Sequence, residues 1–183
     1  MLTVIVVGII IYIIYLYNSL ISNKNKVENV FSSVDVMLKK RYDLIPNLVS
    51  SVQVYMKHEK ELMEEITKIR TKATSDNVTE QEKIELDKAI APMLSTLSIA
   101  MEDYPDLKAN ENVLQFQRTL NDIEAQISAA RRSYNQAVNQ FNNSVEMFPS
   151  SIMANAMKYT RKESFVIVEA ERKNVDVKNL FDK

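Results

Sequence analysis

Few side chains in this sequence could do chemistry, and their spacing decides against most of it. His58 opens the run HEKEL, which supplies a histidine and a glutamate but places Leu62 where a zinc-protease helix needs its second histidine. It is the only histidine in 183 residues, so any catalytic or metal-binding design that needs two is excluded. Glu61, Glu64 and Glu65 alternate with Lys57, Lys60 and Lys68 at spacings of three and four, which is the pattern of an exposed, ion-paired helix face. A carboxylate pair for general acid–base work needs two converging elements, and no second one is marked. Glu102, Asp103, Asp106 and Glu111 cluster near a turn without the ligand spacing of a calcium loop, and helix capping accounts for them. Serines are scattered, with no nucleophile elbow. Cysteine is absent, so disulfides, thiolate nucleophiles and Cys-ligated metals are excluded. The sequence predicts no catalytic residue, no metal site, no cofactor and no enzymatic activity.

What remains is a question of architecture. The one glycine, Gly8, lies in the apolar N-terminus, so the rest of the chain has no phosphate-cradling loop, glycine hairpin or glycine helix cap. With 23 basic and 24 acidic side chains the net charge is -1, which offers no basic footprint for nucleic acid. Long helices with few tight turns are the expected outcome.

Residues 2–21 read LTVIVVGIIIYIIYLYNSLI and carry no charge. About 20 apolar residues at ~1.5 Å rise cross a hydrocarbon core of roughly 30 Å. No basic n-region or small-residue cleavage site accompanies the run, so an uncleaved transmembrane anchor is expected. Lys24, Lys26, Lys39, Lys40 and Arg41 follow it. By the positive-inside rule the N-terminus lies outside the cell membrane and the remaining domain in the cytoplasm. Gly8, Tyr12, Tyr15 and Ser19 recur at three and four and share one face, a candidate self-association face in lipid.

Beyond the anchor, Val27, Val30, Phe31, Val34, Leu38, Ile45, Leu48, Val49, Val52, Met56, Leu62, Met63, Ile66 and Ile69 form one apolar stripe. It predicts a helix running on from the span to about residue 70, kinked or briefly broken at Pro46. The polar run TKATSDNVT ends it, and Thr79 with Glu82 forms a capping box that opens a second helix to about Glu102, with Pro92 inside. Tyr104 and Pro105 close that helix. A third helix carries a heptad seam through Val113, Phe116, Leu120, Ile123, Ile127, Ala130, Tyr134, Ala137, Phe141, Ser144 and Phe148, ending at Pro149. A short helix follows, from about Ser151 to Tyr159. In the mildly basic tail, 161–183, residues 165–168 (FVIV) are a candidate short strand, and the tail otherwise reads as solvated.

The fold class is therefore all-α. An N-terminal transmembrane helix continues into an elongated antiparallel bundle of three long helices plus a short C-terminal helix. Two segments interrupt the apolar pattern, RYDLIPNL from Arg41 and YPDLKAN from Tyr104, with Arg131 and Arg132 further on. If the helices fold back on each other, Arg41 is placed to pair with an acid of the third helix such as Glu124, a contact of the kind that fixes register.

These residues carry a resemblance. RYDLIPNLVSSVQVYMKHEKELMEEITKIR (41–70), YPDLKANENVLQFQRTLNDIEAQISAARRSYNQAVNQFN (104–142) and the closing Phe148 and Pro149 resemble the LemA family of bacterial membrane-anchored proteins. The likeness implies an outside N-terminus, a cytoplasmic helical domain over 22–160 and no established enzymatic activity. Members are loosely linked to envelope functions, one of them to the magnetosome membrane. The tail after about Tyr159 lacks the usual proline-rich ending, and nothing is carried onto it. The expected function is a membrane-anchored scaffold that self-associates, as a homo-oligomer, or recruits a protein partner at the cytoplasmic face. The alternative is a regulatory adaptor of a membrane enzyme such as a protease.

Overall fold

A chain with no glycine after Gly8 has no low-cost place to end a helix, and the first one runs without interruption from Leu2–Val52, α1. At ~1.5 Å per residue its 51 residues span about 75 Å. The computed structural model describes residues 1–165. After α1 it contains α2 (Lys60–Ala73), α3 (Glu80–Ala100), a 3-10 turn (Met101–Asp103), α4 (Pro105–Lys108), α5 (Glu111–Glu146) and α6 (Ser150–Ala156). Among the described residues there is no strand. Of the candidate strand, Phe165 is not in a strand and residues 166–168 lie outside the described residues.

Pro46 does not end or divide α1, so of the kink or brief break expected there the break does not occur. Proline has no N–H, so the Tyr42 carbonyl loses the partner that position 46 normally supplies. Arg70 replaces it: its Nε donates to the Tyr42 carbonyl at 3.3 Å from α2. The break comes instead at residues 53–59, and the stripe expected as one helix to residue 70 is split there. The amides of Tyr55 and Met56 both donate to the Val52 carbonyl, and Met56 is wholly buried in the reversal.

The length of α5 explains this position. α1 and α5 lie antiparallel, as four pairs record. Asn23 meets Ser144, Lys26 meets Gln140, the Phe31 and Tyr134 rings stack edge to face, and Arg41 meets Glu124. In that register Val113, at the start of α5, lies opposite Val52, so α1 carried further would present apolar residues to water. Folding back returns Met63 and Ile66 to the core, where both are buried. α2 then runs antiparallel to α1, and α3 runs parallel to it, with Asp35 meeting Lys83 and Arg41 meeting Asp87. Four helical segments, rather than three, surround one core.

Two other sequence expectations can be placed. The Thr79 and Glu82 capping box is complete, with the Thr79 side chain accepting from the Glu82 amide and the Glu82 carboxylate from the Thr79 amide. The heptad seam of α5 is buried at Val113, Ile123, Ile127, Tyr134, Ala137 and Phe141 and half-buried at Phe116, Leu120, Ala130 and Ser144. Towards its end the buried face rotates onto Val138, Asn142 and Val145, as a helix of 3.6 residues per turn must drift against a strict heptad. Phe148 falls outside the seam: α5 ends at Glu146 and Phe148 is 80% exposed.

Arg70→Ala is expected to destabilise the bundle by about 1 kcal/mol, the usual worth of a hydrogen bond. Pro46→Ala restores the missing amide and is expected to stabilise by roughly 1–3 kcal/mol. In the Pro46→Ala background the loss from Arg70→Ala should shrink, a coupling that urea melts of the four proteins can measure.

Candidate functional site

The residues singled out for chemistry do not converge. His58 lies exposed in the turn between α1 and α2, not on a helix surface, while neighbouring Glu59 accepts the Tyr104 hydroxyl at 2.8 Å. Lys60 and Glu64 pair across one helical turn, both well exposed. Glu102, Asp103, Asp106 and Glu111 occupy first turns of their helices, but the side-chain cap of α5 is Asn110, which accepts from the Asn112 and Val113 amides. Among the described residues no three His, Cys, Asp or Glu side chains are grouped to hold a metal ion.

The polar feature the fold does build is a closed ring of four charges joining α1, α3 and α5. Arg41 and Asp87 are each only 1% exposed, and the Arg41 guanidinium donates to Asp87 Oδ1 at 2.8 Å. Its other terminal nitrogen donates to Glu124 Oε2. Arg131 closes the circuit, donating to Asp87 Oδ2 and lying 3.8 Å from Glu124 Oε1. Two cations and two anions alternate, so the ring is neutral as a unit. Burial pushes the Asp87 carboxyl above the ordinary range, while the Arg131 and Arg41 guanidiniums pull against that shift.

The structure thus brings together Arg41 and Glu124, the pair named from sequence, and adds Asp87 and Arg131. Asp87 had a legible signal. Ile84, Asp87, Ala91 and Leu94 step by three, four and three, so an acid stands in the apolar seam of α3. The ring meets solvent chiefly at Glu124, whose side chain is 43% exposed, and less at Arg131, at 15%. There a cavity of about 470 Å³ opens between α3 and α5, lined by Arg41, Pro92, Leu94, Leu120 and Glu124.

Tyr42 and Tyr134 flank the ring. Burial pushes both phenols up, Tyr134 to about 12 and Tyr42 further, with the Asp87 charge adding to the rise at Tyr42. The Tyr42 hydroxyl is buried with no hydrogen-bond partner among the described residues. Tyr134 also packs edge to face with Phe165, over whose ring Arg131 sits at 5.7 Å.

Phe165, expected to open a short strand, instead ends a segment whose preceding tail residues read as solvated but which docks along α5 through two side-chain amides. Asn142 donates to the Lys162 carbonyl and accepts from the Lys162 amide, both at 2.9 Å. Asn135 makes the same pair of bonds to Phe165, at 2.9 and 2.8 Å. Seven helical residues rise about 10.5 Å and three extended residues cover about 10 Å, so the two repeats match.

The residues of the candidate face in the span, Gly8, Tyr12 and Tyr15, are exposed, and Ser19 is half-buried where α1 enters the bundle. A Cβ on Gly8 would meet nothing within 4 Å. α1 is long and apolar enough to cross a membrane.

Comparison with known proteins adds two matches. The family model described as LemA family matches residues 30–179. Protein LemA of Metamycoplasma hominis is 29% identical over 173 residues, covering 93% of this chain and 79% of its own. The family match contains all four members of the charge ring, begins beyond residues 2–21, and runs into the tail that the resemblance left out.

Asp87→Ala strands two guanidiniums in the interior and is expected to cost about 3–5 kcal/mol, whereas Glu124→Gln, on the wet side, should cost under about 1 kcal/mol. Denaturant titration separates the two. A phenol whose folded value is raised contributes stability that is present below its unfolded value of 10.0 and is lost as pH rises through the folded value. Stability should therefore fall from about pH 10 upward, through about 12 for Tyr134. Tyr42→Phe, which removes an unpartnered hydroxyl, should be neutral or stabilising near neutral pH and should blunt the alkaline loss. Circular dichroism followed against pH reads both.

Proposed function

Since this chain belongs to the LemA family, we propose that it is a membrane-anchored helical scaffold of the cell membrane, with its N-terminus outside and its bundle in the cytoplasm. The observation that carries the reading is the continuity of α1. One helix is exposed and apolar over its first turns, then buries Leu20 to Val52 along one face of the bundle. The orientation rests on Lys24, Lys26, Lys39 and Lys40, which follow the apolar stretch.

The packing also redirects the idea of self-association. α1 covers the heptad stripe of α5 within the same chain, so that stripe is not offered to a second copy. The face of Gly8, Tyr12, Tyr15 and Ser19 is free, and a small residue flanked by hydroxyls allows two helices to approach closely in lipid. The homo-oligomer is therefore assigned to the anchor, which leaves the bundle surface for a protein partner.

Gly8→Leu tests this without disturbing the monomer, because the added side chain meets open space. Crosslinking in membranes, with the mass of the detergent-extracted species, should show an oligomer for the natural chain and its loss in Gly8→Leu at unchanged thermal stability. A monomer in both, or an oligomer indifferent to Gly8→Leu, contradicts the assignment.

A further inference from the structure

We infer that the turn joining α5 to α6 is a second membrane contact, with Met147, Phe148 and Ile152 seated in the lipid interface beside the emerging anchor. This rests on α1 being a membrane anchor, as proposed above.

The register of the bundle sets the height of this turn. Asn23 meets Ser144, and the same antiparallel register continued for one turn places Met147 opposite Leu20. Leu20 is also where α1 changes environment. It is wholly buried, whereas nearly all of the helix before it is exposed. α6 folds back there against both α5 and α1.

The exposed part of α1, residues 2–19, covers about 27 Å at ~1.5 Å per residue, close to the hydrocarbon thickness of roughly 30 Å. No spacer therefore separates bilayer from bundle, and whatever stands at the level of Leu20 stands among the headgroups. At that level the chain presents Phe148 at 80%, Ile152 at 65% and Met147 at 61% exposure, three large apolar side chains within six residues. Single exposed apolar residues on a soluble surface are ordinary, but a cluster aimed at a bilayer is the anatomy of an interfacial contact.

Charge does not supply the attraction. Glu146, beside the trio, is bridged by Arg161 at 2.7 Å, so the rim is paired. Val54 and Tyr55 are exposed too, but they sit beyond the far end of α1, about 50 Å away, and cannot share the contact. With a rigid helix as the first attachment, a second contact fixes the tilt and rotation of the bundle over the membrane.

The absence of cysteine makes the test clean. Full-length protein is reconstituted in phosphatidylcholine–phosphatidylglycerol vesicles with an environment-sensitive fluorophore at one introduced cysteine: Ser151→Cys at the turn, Val54→Cys at the far end, or Ile11→Cys in the anchor. Spin-labelled lipids serve as quenchers. The Ser151→Cys probe is expected to lose emission to a quencher at shallow depth and the Ile11→Cys probe to one at the bilayer centre, with the Val54→Cys probe unaffected. Adding Phe148→Asp and Ile152→Asp, both at exposed positions, should abolish the loss at Ser151→Cys and leave Ile11→Cys unchanged. Quenching at Ile11→Cys without any at Ser151→Cys overturns the inference and leaves the anchor standing. No quenching at Ile11→Cys overturns both. Quenching at Ser151→Cys that survives the two aspartates also overturns it.

Discussion

A guanidinium sealed in the interior of a helical bundle tolerates very few arrangements of its neighbours. Arg41 reaches Asp87 on α3 and Glu124 on α5, while Arg131 returns to both acids, and each carboxylate serves two cations. Slide α5 by one turn and Arg41 loses Glu124 while Asp87 loses Arg131. An apolar seam such as that of α5 is more forgiving, because apolar positions recur at every turn and more than one register can bury them. Hydrophobic burial holds the helices together, and the ring selects one alignment among those that burial would allow.

The same logic of local compensation runs through the backbone. Pro46 frees a carbonyl and Arg70 occupies it, which ties the return of α2 to the helix it packs on. Asn135 and Asn142 provide amide pairs at a spacing that fits an extended chain, so residues 162–165 gain backbone partners without a sheet. A chain with one glycine, and that one in the apolar first turns of α1, manages its turns through side-chain caps and buried reversals such as Met56.

Periodicity made most of the helices legible, because burial on one face leaves a three-four spacing whatever the partner. The capping box of α3 and the stop before Pro149 were equally readable, since their signals are local. The reversal at residues 53–59 was not, because the apolar stripe continues through it and only the length of α5, a distant element, decides where α1 must end. That α1 continues unbroken through Pro46 was not legible for the opposite reason: the local penalty of proline is visible and its remedy on α2 is not. In the charge ring, Arg41 and Glu124 followed from the idea of helices folding back. Asp87 was hidden by its place within an apolar face, although a carboxylate in such a seam is itself the signal.

Under the scaffold reading proposed above, the continuity of α1 from its exposed apolar stretch into the bundle gives the ring a wider consequence: faces carried on a rigid helix have to be presented in one alignment. Because the chain lacks cysteine, alignment can be read by disulfide trapping. One variant carries Asn23→Cys with Ser144→Cys, the native contact; another carries Asn23→Cys with Gln140→Cys, one turn out of register. With the ring intact only the first should close efficiently. With Arg41, Asp87, Glu124 and Arg131 all replaced by apolar residues, the bundle should remain helical and the second should close as well. If the native pair alone still closes, the apolar seam sets the register and the ring does not.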